Sequence, residues 1–247
     1  GEVLLPIVNR LLQEADNLRH AGDEYRDSGR GHLTIAATHS QACYALPAVV
    51  KDFRQAFPQV ELHLHQGSPK QVADMLLEGV ADMGVATEAL SDYDELLTLP
   101  GYRWTHSVIV PGGHPLQRLD HPLGLADIAE YPVITYERGY TGRAHIDDAF
   151  AREGLIPHVV LTAMDADVIK TYVELELGIG IVASVAVDLQ RDRGLHAIDA
   201  GHLFEINTTR IGLRKGAWLR GYAFAFIETF VPTLTRSVVK QALRSSL

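Results

Sequence analysis

Gly31-His32-Leu33-Thr34-Ile35-Ala36-Ala37-Thr38-His39-Ser40-Gln41 is the stretch on which the fold is read. Leu33, Ile35 and Ala37 alternate with Thr34 and Ala36, so it begins as a strand. It then passes into small hydroxyl residues, and a helical pattern takes over. A parallel strand that hands over to a helix points free backbone N–H groups into a crevice. Thr38, Ser40 and Gln41 add side-chain donors there. The stretch therefore reads as a site for an anion or small polar ligand, with no catalytic group in it.

Outward from this turn, a helix is expected near 43–57, with Leu46, Val49, Val50, Phe53 and Phe57 on one face. Pro47 stands close to its start and Pro58 ends it. Residues 60–66 form a second strand, with Val60, Leu62 and Leu64 inward and Glu61, His63 and His65 outward. Ser68-Pro69 opens a helix that Gly79 stops, and a third strand over 82–86 ends at Thr87. The order β-α-β-α-β is that of a parallel sheet with helices on its faces.

The 247 residues allow one large domain or two small ones. With 47% hydrophobic and 21% charged residues, the composition is that of an ordinary globular protein with ample core. A net charge of −9 argues against these residues as a nucleic-acid footprint, which needs clustered Lys and Arg. The lone Cys43 cannot form an internal disulfide, which points to a cytoplasmic location. No apolar run approaches a membrane span, and no secretory signal is visible, so no membrane partner is expected. The chain opens at Gly1 without Met, which reads as a trimmed start.

Before the first strand, Leu4, Val8, Leu11, Ala15, Leu18, Gly22 and Tyr25 repeat with a coiled-coil spacing, which predicts one helix over 3–28, about 35–40 Å long. It is either packed on its own domain or a protruding linker and dimerisation helix; Ser28-Gly29-Arg30-Gly31 sets it apart and favours the second reading. Pro100-Gly101 breaks the chain, and a strand over 103–110 crosses into a second α/β unit. There the pattern gives helices at 124–129, 142–153, 165–176 and 184–190, and strands at 133–136, 158–162, 179–183 and 195–198. A strand at 208–214 and helices at 216–230 and 233–244 follow, and 204–230 is expected to return to the first unit. Two such units joined by crossings imply a bilobed receptor with a cleft between lobes.

Several motifs carry less than they promise. Gly178-Ile179-Gly180-Ile181-Val182-Ala183 matches a dinucleotide fingerprint, but it follows a helix and opens a strand, so it reads as a helix C-terminal stop. His63 and His65 lack a third ligand at usual spacing and read as an exposed strand face. Asp165 and Asp167 read as the acidic first turn of a helix, and Cys43 as a small buried thiol. No P-loop, G-x-S-x-G or H-E-x-x-H pattern occurs. What recurs is hydroxyls and amides at strand-to-helix turns: Thr38, Ser40 and Gln41; Gln66 and Ser68; Thr87; Thr141; Thr162 with Met164. Each is individually explained as a cap. Together they lie at the C-terminal ends of the strands, where open α/β sheets bind ligands.

Residues 38–47, with 65–69, 86–90, 140–143 and 165–172, resemble the CysB and Cbl branch of the LysR-type transcriptional regulators, which act in sulfur assimilation. The likeness is collinear and spans nearly the whole chain. It implies two Rossmann-like subdomains of periplasmic-binding-protein type II-like fold with a ligand cleft between them, preceded by a linker helix. Residues 1–30 would be the linker, 31–102 with 204–247 the first subdomain, and 103–203 the second. A DNA-binding winged helix-turn-helix would lie upstream, absent from this chain. The resemblance further implies no enzyme activity and no cofactor, a homodimer or homotetramer, and sulfate, an acetylserine or adenosine phosphosulfate as effector. The anion-binding positions carried over are Thr38, Ser40, Gln41, Thr87 and Thr141. Cys43 and Met164 depart from the branch, which usually has Arg and a polar residue there. The alternative is a free-standing bilobed solute-binding protein for a small anion.

Overall fold

The computed structural model describes Val8, Leu11, Glu14, Ala15, Asn17, Leu18 and Gly22, then residues 29–188 and 190–246. Those first residues are all helical; the remainder of the helix expected over 3–28 lies outside the described residues. Val8, Leu11 and Leu18 of its apolar seam are exposed, while the Asn17 side chain is tied to the turn at 216–218.

Two five-stranded sheets make the fold. The first has the order β2-β1-β3-β10-β4, with β1 (Gly31–Ala37) pairing in parallel with β2 (Val60–Gln66) and β3 (Met83–Ala86). β10 (Asn207–Arg214) runs antiparallel between β3 and β4 (Leu96–Trp104). The second sheet has the order β7-β6-β8-β5-β9, built from β5 (His106–Pro111), β6 (Val133–Tyr136), β7 (Val159–Ala163), β8 (Ile179–Ala183) and β9 (Leu195–Asp199). Seven helices cover the faces among the described residues: α1 (Leu46–Ala56), α2 (Pro69–Leu77), α3 (Leu125–Ala129), α4 (Thr141–Arg152), α5 (Ala166–Glu174), α6 (Gly221–Phe230) and α7 (Arg236–Ser245). Leu46, Val49 and Phe53 of α1 are buried against the first sheet with Phe226 of α6. Each such burial stabilises by about 1.5–3 kcal/mol.

Expected and observed elements differ where a local interaction competes with periodicity. Pro100-Gly101 does not break the chain but lies inside β4, an edge strand with a bulge opposite β10, where a missing N–H is tolerated. The single crossing strand over 103–110 is two strands, interrupted at Thr105. Leu64 is exposed rather than inward, because β2 is the other edge of its sheet. The helix expected over 184–190 is a short 3-10 turn at Ser184–Ala186. There the Asp188 carboxylate accepts from the N–H groups of Gln190 and Arg191, a local alternative to helical hydrogen bonds; Leu189 lies outside the described residues. The helix expected from 216 begins at Gly221, since Asn17 holds the preceding turn.

The glycines of the fingerprint-like motif serve backbone approach. The helix stop before it is Glu176, in the left-handed region at φ 59°, with its N–H on the Val173 carbonyl. A Cβ on Gly178 would stand 2.5 Å from the Pro132 carbonyl oxygen, and one on Gly180 would stand 2.5 Å from Ile109. Gly178→Ala is therefore expected to destabilise the fold by about 1–3 kcal/mol, measured by urea unfolding.

Candidate functional site

A narrow cleft lies where the C-terminal ends of β1, β3, β6 and β8 face each other. From the first sheet, β1 ends in the ladder: the Thr38 N–H donates to the Val85 carbonyl at 3.1 Å. A helix starts at once, and the Ala42 N–H returns to the Thr38 carbonyl at 3.0 Å. Thr38 thus occupies the cap position. The N–H groups of His39, Ser40 and Gln41 fall in the first turn, where a helix has no acceptor of its own. The turn then widens: Gln41–Ala45 is π-helical, the Leu46 N–H reaching the Gln41 carbonyl, before α1 continues regularly. Such wide turns are rare and recur at functional sites. Gln41 is buried, and its side-chain carbonyl accepts from the Tyr102 hydroxyl at 2.7 Å.

From the second sheet, α4 points its start at the same space. Tyr140 caps it without a side-chain bond, and Thr141 and Gly142 line the cleft. A Cβ on Gly142 would stand 3.0 Å from His106 Nε2 and 3.6 Å from the Trp104 ring, so only glycine lets the helix start approach this closely. The Thr141 hydroxyl meets the Thr87 hydroxyl across the cleft at 2.6 Å. The Tyr136 phenol accepts from the Ala183 N–H at 3.0 Å. Burial pushes that phenol up to about 12, against the opposing hydrogen bonds from Ala183 and Ser40.

Beside the cleft a second set of contacts joins the two halves. The Tyr44 hydroxyl donates to the Asp167 carboxylate. It also accepts from Lys170 Nζ at 3.0 Å, and Lys170, only 5% exposed, pairs with Asp192 at 2.9 Å. His39 Nε2 lies 3.4 Å from Cys43 Sγ and 3.6 Å from Asp167 Oδ2. Burial raises the Cys43 thiol above its ordinary range, and burial with Asp167 does the same for the Tyr44 phenol.

The structure brings Thr38, Ser40, Gln41, Thr87, Thr141 and Met164 together in one lining. It places three others outside. Gln66 ends an edge strand and is exposed. The Ser68 hydroxyl is occupied as a cap, accepting from the Gln71 N–H, and buried Pro69 lines the cleft instead. Thr162 is exposed on β7, at the edge of its sheet. The lining includes residues that sequence reasoning missed, chiefly His39, Trp104, Tyr136 and Tyr140. Aromatics at strand ends carry the same signature as core positions; Trp104 could have been flagged only as the residue at the crossing. Its buried indole N–H has no acceptor among the described residues.

Two α/β units meeting at a cleft lined by helix starts and hydroxyls define a two-lobed receptor for a small ligand. Comparison with known proteins gives its lineage. A family model described as the LysR substrate binding domain matches residues 26–235, and the chain belongs to this family, the effector-binding part of LysR-type transcriptional regulators. It is 53% identical to the HTH-type transcriptional regulator SsuR of Burkholderia cenocepacia, over 100% of this chain and 80% of that protein. It is 50% identical to CysB of the same organism, over 99% of this chain and 78% of that protein. The crystal structure of the cofactor-binding domain of the Cbl transcriptional regulator aligns with a TM-score of 0.82 at 48% identity, over 87% of this chain and 93% of that one. The regulatory domain of Synechocystis CcmR, at 18% identity and a TM-score of 0.73, shares the fold. The chain is thus the effector-binding region of a LysR-type regulator related to SsuR, CysB and Cbl, a family of transcription regulators and not of enzymes.

His106 gives this region a pH signature. Its ring is fully buried against Trp104 and Phe204, with no partner on either nitrogen among the described residues. Burial, with a smaller effect of His145, holds its pKa down at about 3. The unfolded imidazole titrates near 6.5 and takes up protons first, so stability falls as pH drops from about 6.5 towards 3. Replacing it by Phe is expected to remove about 2 kcal/mol of the loss between pH 7 and pH 5, read from urea unfolding at both values.

Proposed function

We propose that this region senses a small sulfur oxyanion, with sulfate as its simplest form, in the cleft between its lobes. The lobes are taken as 31–102 with 204–247, and 103–203. The observation that carries the reading is convergence of neutral donors from both lobes: the first-turn N–H groups after Thr38, the start of α4, the Thr38, Thr87 and Thr141 hydroxyls, and the Trp104 indole. Helix starts favour anions through unpaired N–H groups and the positive end of the dipole. Sulfate only accepts hydrogen bonds, which suits a lining rich in donors. An acetylated serine brings an amide N–H that asks for an acceptor, and the Gln41 carbonyl is already engaged by Tyr102. Adenosine phosphosulfate would need the lobes to part further than sulfate does, because Thr87 and Thr141 meet across the space at 2.6 Å.

Ligand in the cleft would replace the direct Thr87–Thr141 contact and change the angle between lobes. The exposed Val8, Leu11 and Leu18 of the leading helix would pass that change to a dimer or tetramer, and through it to a DNA-binding domain and the genes of sulfur assimilation. A coupling free energy of about 1–3 kcal/mol suffices. Calorimetric titration with sulfate, N-acetylserine and adenosine phosphosulfate tests the reading. Sulfate is expected to bind, and Thr38→Val to weaken it about tenfold or more while urea unfolding still shows a folded protein, its stability lowered by no more than the roughly 0.5–2 kcal/mol of a lost cap. Unaltered sulfate affinity in that variant, or binding of acetylserine without sulfate, would overturn it.

A further inference from the structure

At the edge of the cleft, where His39 is a lining residue and Cys43 and Asp167 are not, one trio of metal-ligating side chains converges among the described residues. His39, Cys43 and Asp167 place a ring nitrogen, a thiol sulfur and a carboxylate oxygen within 4.8 Å of one another. His39 and Cys43 lie four residues apart on the helix that follows β1, and Asp167 lies on α5 of the other lobe. We propose that these residues form a site for a thiophilic divalent transition metal, Zn²⁺ in the first instance, that clamps the two lobes together.

Two of the three edges have the spacing of a tetrahedral site, and the third, from the Cys43 sulfur to the Asp167 carboxylate, lies within 4.8 Å. Zinc holds nitrogen or oxygen at about 2.0–2.1 Å and thiolate sulfur at about 2.3 Å, so adjacent ligand atoms stand roughly 3.3–3.6 Å apart. His39 Nε2 is 3.4 Å from Cys43 Sγ and 3.6 Å from Asp167 Oδ2. The carboxylate is also oriented for the task. Oδ2 faces His39, while Oδ1 takes the Tyr44 hydroxyl and lies 3.7 Å from Lys170 Nζ. Hydrogen bonds on the far side of a ligating carboxylate are the outer shell that fixes such ligands. Lys170 stands on that far side, and Asp192 pairs its charge. Burial first, then Asp167 and Asp165, disfavour the bare Cys43 thiolate, and a cation between sulfur and carboxylate reverses the part due to the carboxylates. Three protein ligands leave a fourth position for water, as in open zinc sites. The donor set of sulfur, imidazole and one carboxylate selects zinc-like metals over Mg²⁺ and Ca²⁺.

The test uses untagged protein freed of metal by chelator. Titration with Co²⁺ is expected to give one equivalent bound, with a sulfur-to-metal charge-transfer band and tetrahedral d–d intensity, and Zn²⁺ should displace it. Cys43→Ser should abolish the band and weaken Zn²⁺ at least 100-fold. Asp167→Asn should keep the band at saturating cobalt and weaken Zn²⁺ at least tenfold. In the unaltered protein, Zn²⁺ should protect Cys43 from alkylation, a readout that does not depend on the variants folding. Absence of the band, or of the protection, overturns the site. Unchanged Zn²⁺ affinity in Asp167→Asn overturns the clamp between lobes. Neither result touches sulfate binding, which is measured with metal absent.

Discussion

At Thr105 the chain leaves one sheet and enters the other, and its backbone groups there have no strand partner. A buried peptide must still be hydrogen-bonded. Ser184 meets the need from both sides: its hydroxyl accepts from the Thr105 N–H, and its own N–H donates to the Thr105 carbonyl. That pairing pins the end of β4 to the end of β8. It thereby sets Trp104, His106 and Ala183 in one place, and Gly142 can come in against the first two. The cleft exists where it does because a crossing strand has to be satisfied at its break.

Around that point the two halves touch through polar contacts of different character. Thr87 and Thr141 share a neutral hydrogen bond inside the cleft, while Lys170, Asp192, Tyr44 and Asp167 form a charged network beside it. The first is easily exchanged for a ligand that accepts two hydrogen bonds. The second crosses the cleft only through the Tyr44 hydroxyl, so opening the lobes breaks its hydrogen bonds to Asp167 and Lys170 while the buried Lys170 ammonium stays paired with Asp192. Movement of the lobes is therefore channelled towards arrangements that keep Lys170 paired with Asp192, which lies on its own side of the cleft.

The parallel order of elements was legible in alternation and caps, because β1, β2, α2 and β3 obey local rules that nothing overrides. The strand-to-helix turn at 38–41 was legible for the same reason. The failures have physical causes. Capping competes with ligand binding for the same hydroxyl, so Ser68 looked like a site residue when its oxygen belonged to Gln71. Edge position is a property of sheet order, which strands do not announce; Leu64 was expected inward and is exposed on that account, and Thr162 stands exposed on the edge strand β7. The aromatic half of the lining stayed hidden because Trp104, Tyr136 and Tyr140 come from separate elements. Only the sheets bring them together.

The wide turn at Gln41–Ala45 sits between two jobs done by one helix. Upstream, Thr38 to Gln41 line the cleft; downstream, Leu46, Val49 and Phe53 face the core. An ordinary helix would lock the two faces into a single rotational phase. An added residue in one turn acts as a phase adjuster, letting evolution turn the recognition end while the buried end keeps its seat. In this chain the direction of the helix start over the cleft is thereby uncoupled from the packing of α1 in the hydrophobic interior.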